Sequence, residues 1–456
     1  MRRVVKVSRI RIIITIIVVV LTTLLTGCTG KEPNEIAYVV ALGIDSTDDD
    51  NYKITIQYAN TTQISGGASE SGGKAGSEIV DNVTIEAPNI YAGVGLANNI
   101  VSKSFSMSHA KLIVFSKEIA EKGVKDMIET LVRSEEIRPD VFIAVANTTA
   151  NDYLTSVNPE MEVNPAQYYQ LIYQKNQLVG IPDGQLREFF TGLYTDNYDS
   201  ILPVAGVIDG SGGNSQNDDK GQSKDSQNEG SEGSSESLDS FESKSSDDKD
   251  ENEKEKDAEK NTSKYEYDIK NYVGGETAIE KKNKAEAIGA AVFEKDKMVG
   301  ELGEVETEIC KILKGDYTYS YLTYYNNDTP DIPITVKTTQ QKKPKYKIDT
   351  DKKTVDIELY IESDLYSLPA DYNVENKIED FERDVANYTS SACTEFINNF
   401  TKKYNSDILK LNEKVKYKFL TNNQYNWFKK NVGWSEYKFS VCTNFKVRRT
   451  GLIVRE

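Results

Sequence analysis

Between Asp209 and Ser263 the chain carries 17 acidic and 7 basic residues, many Ser, Gly and Asn, and only Leu238, Phe241 and Ala258 as apolar side chains. A stretch with so little to bury cannot offset the entropy of ordering its backbone. It constrains the fold more than any other feature, because a core must then be built from residues 28–208 and 264–456. The run 209–263 is expected to be a disordered acidic tether, with an end-to-end reach of roughly 40 Å on the flexible-chain relation.

The beginning of the chain sets a second boundary. Arg2, Arg3, Lys6, Arg9 and Arg11 precede an apolar stretch from Ile12 to Leu25, which runs into Leu25-Thr26-Gly27-Cys28. Residues 1–27 therefore read as a lipoprotein signal peptide, cut in front of Cys28. The apolar stretch is shorter than the about 20 residues a spanning helix needs. The expected attachment to the bilayer is S-diacylglycerol and N-acyl groups on Cys28, where each buried methylene contributes about 0.8 kcal/mol. Removing residues 1–27 takes five basic and no acidic residues, leaving 50 basic against 72 acidic and a net charge of −22. Nucleic acid is an unsuitable partner for such a body, since phosphates demand a basic footprint.

Before the tether, Ile36–Asp45 is a continuous apolar run suited to a buried strand, and Tyr52–Tyr58 alternates as its antiparallel neighbour. Ser65–Ser77 reads as a flexible loop. A helix from Asn89 to Val101, a strand Lys111–Phe115, one helix Lys117–Arg133 and a strand Asp140–Ala146 follow. Asn164-Pro165 opens another helix, with an N-cap and a proline in the first turn. A strand at Ile201–Ile208 closes this half.

After the tether, Ala287–Phe293 and Lys297–Glu301 predict a hairpin, then a helix Glu304–Leu313 with Val305, Ile309 and Ile312 inward. Tyr317, Tyr319 and Tyr321 mark one strand, expected to use its rings in cross-strand packing. Ile332–Gln340, Lys345–Asp349 and Thr354–Glu362 add three more strands. The longest helix spans Val374–Tyr404, and its stripe Val374, Ile378, Phe381, Val385, Tyr388, Ala392, Phe396, Phe400 must lie on the sheet. The fold class is thus α+β: small mixed α/β domains, the C-terminal part a mostly antiparallel sheet packed on a long helix.

Chemistry is scarce. His109 is the only histidine, which leaves no hydrolase triad or histidine-ligated metal site, and no phosphate-binding loop occurs. Cys310, Cys393 and Cys442 have no metal-ligand spacing; the first two read as core hydrophobes. No catalytic residue, metal or cofactor is expected, and the body reads as one that binds rather than reacts.

Several segments recur together in a recognisable order: Glu35-Ile36-Ala37 leading to Ala41-Leu42-Gly43-Ile44-Asp45, Ser108-His109-Ala110-Lys111-Leu112, Ile119 to Gly123, and Glu136-Ile137-Arg138-Pro139-Asp140. The second half adds Gly289 to Phe293, Lys297-Met298-Val299-Gly300, Tyr404, Asp407, Trp427, Trp434 and Val447 to Ile453. This ordered set behind Cys28 resembles the Ger(x)C family, the lipoprotein C subunits of spore nutrient germinant receptors. Where the family usually continues Asp-Ile-Phe-Gly-Phe-Gly, this chain has Asp407-Ile408-Leu409-Lys410-Leu411-Asn412. The resemblance implies a lipid-anchored subunit on the outer face of the spore inner membrane. Its partners would be a multi-spanning membrane subunit, a second membrane subunit and the bilayer through Cys28. Its motif positions here are Asp45, His109, Arg138, Asp407, Trp427, Trp434 and Gly451. A solute-binding lipoprotein of a transporter is the alternative, with ligand held between two parallel α/β lobes.

Overall fold

The computed structural model describes residues 13–18, 35–49, 51–59, 80–159, 162, 164–174, 180–195, 197–208, 271–277, 283–325, 333–367, 377–404 and 406–450. Cys28, Gly451, the loop at 65–77, the acidic tether and Val374 lie outside the described residues. Residues 1–210 and 271–456 fall into one compact unit, to which all described residues belong.

A nine-stranded mixed sheet forms its larger part. Its strands are β1 (Ile36–Ser46), β2 (Tyr52–Ala59), β3 (Val80–Ala87), β4 (Ser104–Ser106), β5 (Leu112–Ser116), β6 (Phe142–Ala146), β7 (Ile201–Val207), β8 (Ala285–Glu294) and β9 (Lys297–Leu302). The order is β3-β2-β1-β5-β6-β7-β8-β9, with β4 beside the start of β1. Strands β1, β5, β6 and β7 run parallel, while β2, β3, β8 and β9 add antiparallel edges. The parallel strands are nearly continuous apolar runs because both of their faces are covered. Alternation divides each between two cores: Ile113, Phe115, Ile143 and Val145 enter one, Leu112, Val114, Phe142 and Ala144 the other.

Helices α1 (Ile90–Ala97), α2 (Lys117–Lys122), α3 (Lys125–Val132) and α6 (Leu186–Thr195) feed the first core. Helices α4 (Ala150–Ser156) and α5 (Pro165–Gln174) feed the second. That second core holds a phenol chain: Tyr153 and Tyr173 share a 2.9 Å hydroxyl bond, and the Tyr169 hydroxyl donates to Gln57 Oε1 at 2.6 Å. Burial pushes the phenol pKa values of all three upward, so they stay neutral donors.

The single helix expected over Lys117–Arg133 is two. Gly123 adopts φ +125° between α2 and α3, and the Val124 N–H donates to Asp296 O at 2.9 Å in the β8–β9 turn. On either side of the break, Ile119 and Ala120 of α2 and Met127, Ile128 and Leu131 of α3 are buried in the same core.

Strands β10 (Tyr319–Tyr325), β11 (Pro333–Gln340), β12 (Lys345–Asp349), β13 (Thr354–Ser367) and β14 (Lys438–Arg449) form the second sheet. All its pairs are antiparallel except β13 with β14. The sheet of the first half extends across the acidic tether, because β8 and β9 join β7 rather than this second sheet. Tyr317 precedes β10 instead of lying in it, and its buried hydroxyl bonds Thr338 Oγ1. Tyr321 does pack across the sheet, edge to face on Tyr366 at 5.4 Å.

Helix α7 (Glu304–Lys314) buries Thr307, Cys310, Lys311, Ile312 and Leu313, so its inner face is rotated from the one expected. Val305 and Ile309 lie at the margin, half-buried. Helix α8 (Ile378–Tyr404) buries Phe381, Val385, Cys393, Phe396, Ile397 and Phe400, each large apolar side chain contributing about 1.5–3 kcal/mol. Cys310 and Cys393 are core residues, whereas Cys442 is exposed.

The same helix carries a polar stripe beside its apolar one. N–H groups of Phe439, Val441, Thr443 and Val447 on β14 donate to Asn398 Oδ1 (3.1 Å), Thr394 Oγ1 (3.0 Å), Ser390 Oγ (2.9 Å) and Glu382 Oε1 (2.8 Å). Four helical residues rise about 6 Å and two strand residues about 6.7 Å, so the two periods stay nearly in step. An edge strand that would expose unpaired N–H groups is thereby closed by a helix.

Candidate functional site: carboxylate braces and a C-terminal bracket

After α8 the chain turns through Ser406–Lys410 and enters α9 (Leu411–Val415), with Lys410 at φ +58°. Asp407 holds this turn. Its carboxylate accepts the N–H groups of Leu411 at 2.7 Å and Asn412 at 2.8 Å. Its own N–H donates to Asp199 Oδ2 at 2.9 Å, and the Asp199 N–H returns a bond to Asp407 O at 3.1 Å. Asp199 Oδ1 also accepts the Lys295 N–H at 3.1 Å. One pair of aspartates thus ties the segment before β7, the β8–β9 turn and the entry to α9. Burial pushes Asp407 up to about 7, against the lowering effect of its backbone donors.

Trp434 belongs to the same construction. It is buried, its Nε1–H donates to Asn412 Oδ1 at 3.2 Å, and its ring lies 4.7 Å from that of Tyr437. Helix α10 (Asn422–Asn431) closes the bracket against the first half: the Tyr425 hydroxyl bonds Asn197 Oδ1 at 3.1 Å, and Lys429 Nζ donates to Thr195 O at 3.1 Å. Lys410 lies 4.4 Å above the Tyr198 ring and pairs with Glu188 of α6. Trp427, on the outer side of α10, is 65% exposed.

Asp45 repeats the device at the end of β1. Only 4% exposed, it accepts the Ala150 N–H at 2.6 Å and the Asn151 N–H at 3.0 Å, holding the first turn of α4. Burial raises its pKa, partly countered by those two donors. His109 is exposed, bonded through Nδ1 to Ser108 Oγ at 3.0 Å and set edge-on to Tyr38 at 4.8 Å. Arg138 forms a two-point surface pair with Asp140 at 3.0 and 3.3 Å.

Of the seven motif positions, the structure thus brings together Asp407 and Trp434, through Asn412. Asp45, His109 and Arg138 each serve a separate turn of the first half. Asp199 belongs to the bracket but, as a lone aspartate in a loop, carries no periodic signal; Asn412, in the first turn of α9, stands out in the sequence only as a departure from the family's glycine. Both buried aspartates spend their lone pairs on backbone donors, which is a positioning task. Among the described residues no group of three His, Cys, Asp or Glu stands close enough to hold a metal, and no helix is long and apolar enough to cross a membrane.

Two family models match in order. Residues 30–207 match the spore germination protein N-terminal domain, and residues 288–451 match the spore germination B3/GerAC-like C-terminal domain. Together they take in most of the chain, which is a spore germination protein by class. Its particular family is the GerAC-like one, and the chain belongs to it. Spore germination protein KC of Bacillus subtilis (strain 168) is 26% identical over 174 residues, 35% of this chain and 42% of that protein. The putative spore germination protein YfkR of the same organism is 28% identical over 145 residues, 32% and 37% of the two chains. Spore germination protein B3, also from that strain, is 26% identical over 148 residues, 30% and 36%. The matched segments span less than half the length of these curated relatives. The crystal structure of the GerBC protein aligns with a TM-score of 0.47 and 15% identity, covering 89% of this chain and 96% of the other.

Proposed function

We propose that this chain is the lipid-anchored C subunit of a spore nutrient germinant receptor, required for receptor assembly and nutrient-triggered germination and performing no chemistry itself. The observation that carries this reading is the ordered match of both germination-protein models to the two halves of one compact unit. Supporting it, the buried carboxylates at the motif positions Asp45 and Asp407 accept backbone N–H groups that organise turns. A body built to hold shape beside integral partners needs such joints more than it needs reactive groups. Acyl groups on Cys28 would confine it to the outer face of the spore inner membrane, raising its effective concentration near a multi-spanning subunit and a second membrane subunit without a strong interface.

Replacing Cys28 by Ala in spores tests this. The variant body is expected to fold while the spores lose their response to nutrients and the protein leaves the membrane fraction. Full nutrient response with the variant retained at the membrane would end the proposal.

A further inference from the structure

We infer that the turn closing α1 is a second, non-covalent membrane contact, in which Leu96 and Ile100 enter the lipid interface beside the point where the anchored chain joins the fold. This rests on lipid attachment at Cys28.

Chain connectivity supplies the first part of the argument. From Cys28 to Ile36, where β1 begins, there are eight residues. At about 3.5 Å per residue they reach at most about 28 Å, so the start of β1 cannot stand far from the bilayer surface. Topology supplies the second part. Strand β4 pairs in parallel with the first residues of β1, Ile36 with Ser104 and Ala37 with Phe105, so both strands are entered from the same end of the sheet. The chain entering β4 comes directly from the turn after α1. That turn is fixed by N–H bonds from Asn99 to Leu96 O (3.0 Å) and from Ile100 to Ala97 O (3.0 Å). Asn98 Oδ1 then accepts the Phe105 N–H at 2.8 Å, which clamps the turn against the β4 residue paired with Ala37.

Side-chain exposure supplies the third. Ile100, in the turn, is 67% exposed and Leu96, in the last turn of the helix, 46%, although Val94 and Ala97 of the same helix are buried. Two aliphatic side chains held rigidly in water beside a membrane-tethered strand gain free energy by entering the interface, without any cost of ordering the turn. Neighbouring Asn98, Asn99 and Ser102 are uncharged, and the nearest charged residue in sequence, Lys103, is a cation, the sign an anionic lipid surface attracts.

The test uses the full lipidated chain in vesicles of phosphatidylglycerol and phosphatidylcholine carrying brominated acyl chains. Trp427→Phe leaves Trp434, buried in the bracket, as the remaining native indole, and Ile100→Trp places a reporter in the turn. Emission of that reporter is expected to fall at least twofold on bromination and to resist aqueous acrylamide. Adding Leu96→Glu is expected to abolish the bromine effect, with the circular dichroism unchanged. A vesicle-bound chain whose reporter ignores bromine overturns the contact, whether acrylamide reaches it or not, and leaves the anchor intact. Failure of the wild-type chain to float with vesicles overturns the anchor itself, and the contact with it.

Discussion

Asn398 meets Phe439 as a neighbouring strand would: its Oδ1 accepts the Phe439 N–H at 3.1 Å and its Nδ2 donates to the Phe439 carbonyl at 3.0 Å. A helix side chain thereby completes the hydrogen-bonding of a sheet edge. Asn398→Leu should strand both backbone groups and cost about 2–6 kcal/mol, since each buried unsatisfied group costs about 1–3. Urea unfolding of wild type and variant would measure it; a midpoint shift no larger than that of an exposed-site control would show that the edge has other partners.

Asp407 sets a pH dependence. Its folded pKa of about 7 lies above the ordinary aspartate value of about 3.9. Between those two values the unfolded chain has released the proton while the folded chain still holds it, so this residue's contribution to stability falls as pH rises and levels off above about 7. At about 1.4 kcal/mol per unit the loss is at most about 4 kcal/mol. Unfolding midpoints compared near pH 4.5 and near pH 7.5 should therefore decline more in wild type than in Asp407→Asn. Parallel declines in the two proteins would refute the assignment.

Most strands were legible because their side chains alternate or run apolar, and β1, β2, β5, β6, β7 and the β8–β9 hairpin fall within a few residues of expectation. The break in Lys117–Arg133 was not legible, because Gly123 is tolerated in a helical pattern and the side chains that crowd it, Asp296 and Lys297, are distant in sequence. Strand β3 (Val80–Ala87), with polar residues on its open face, and the short α4 and α6 also escaped reading. At the bracket, Asp407 and Trp434 were visible through the family resemblance. The bracket roles of Asp199 and Asn412 were not, the latter showing only as a departure from the family's glycine, since hydrogen bonds between segments far apart in sequence leave no periodic trace.

Gly123 carries its own test. A Cβ there would sit 2.7 Å from Asp296 Oδ2, at a φ that L-residues avoid. Gly123→Ala should cost about 1–3 kcal/mol. Asp296→Ala in the same chain should recover the steric part and leave the backbone part; a neutral single variant would show that α2 and α3 can shift freely.

The two tryptophans should behave oppositely. Trp434→Ala removes a buried ring and its bond to Asn412, at an expected cost of about 3–5 kcal/mol. Trp427→Ala, on an exposed face, should change stability by no more than about 0.5 kcal/mol. Thermal unfolding of both variants decides it, and equal losses would contradict the geometry of α10.

Strands β7 and β8 lie side by side with Val207 opposite Ala285, and the Ile208 N–H donates to Lys284 O at 2.8 Å. The seam between the two halves is therefore held by direct strand pairing, and the acidic run lies in the sequence between the two paired strands. Closing a longer loop across a fixed seam costs only about 0.6 kcal/mol per doubling of its length. Evolution, or an experimenter inserting a reporter, can lengthen, shorten or rewrite that region while the surrounding architecture remains indifferent to the edit.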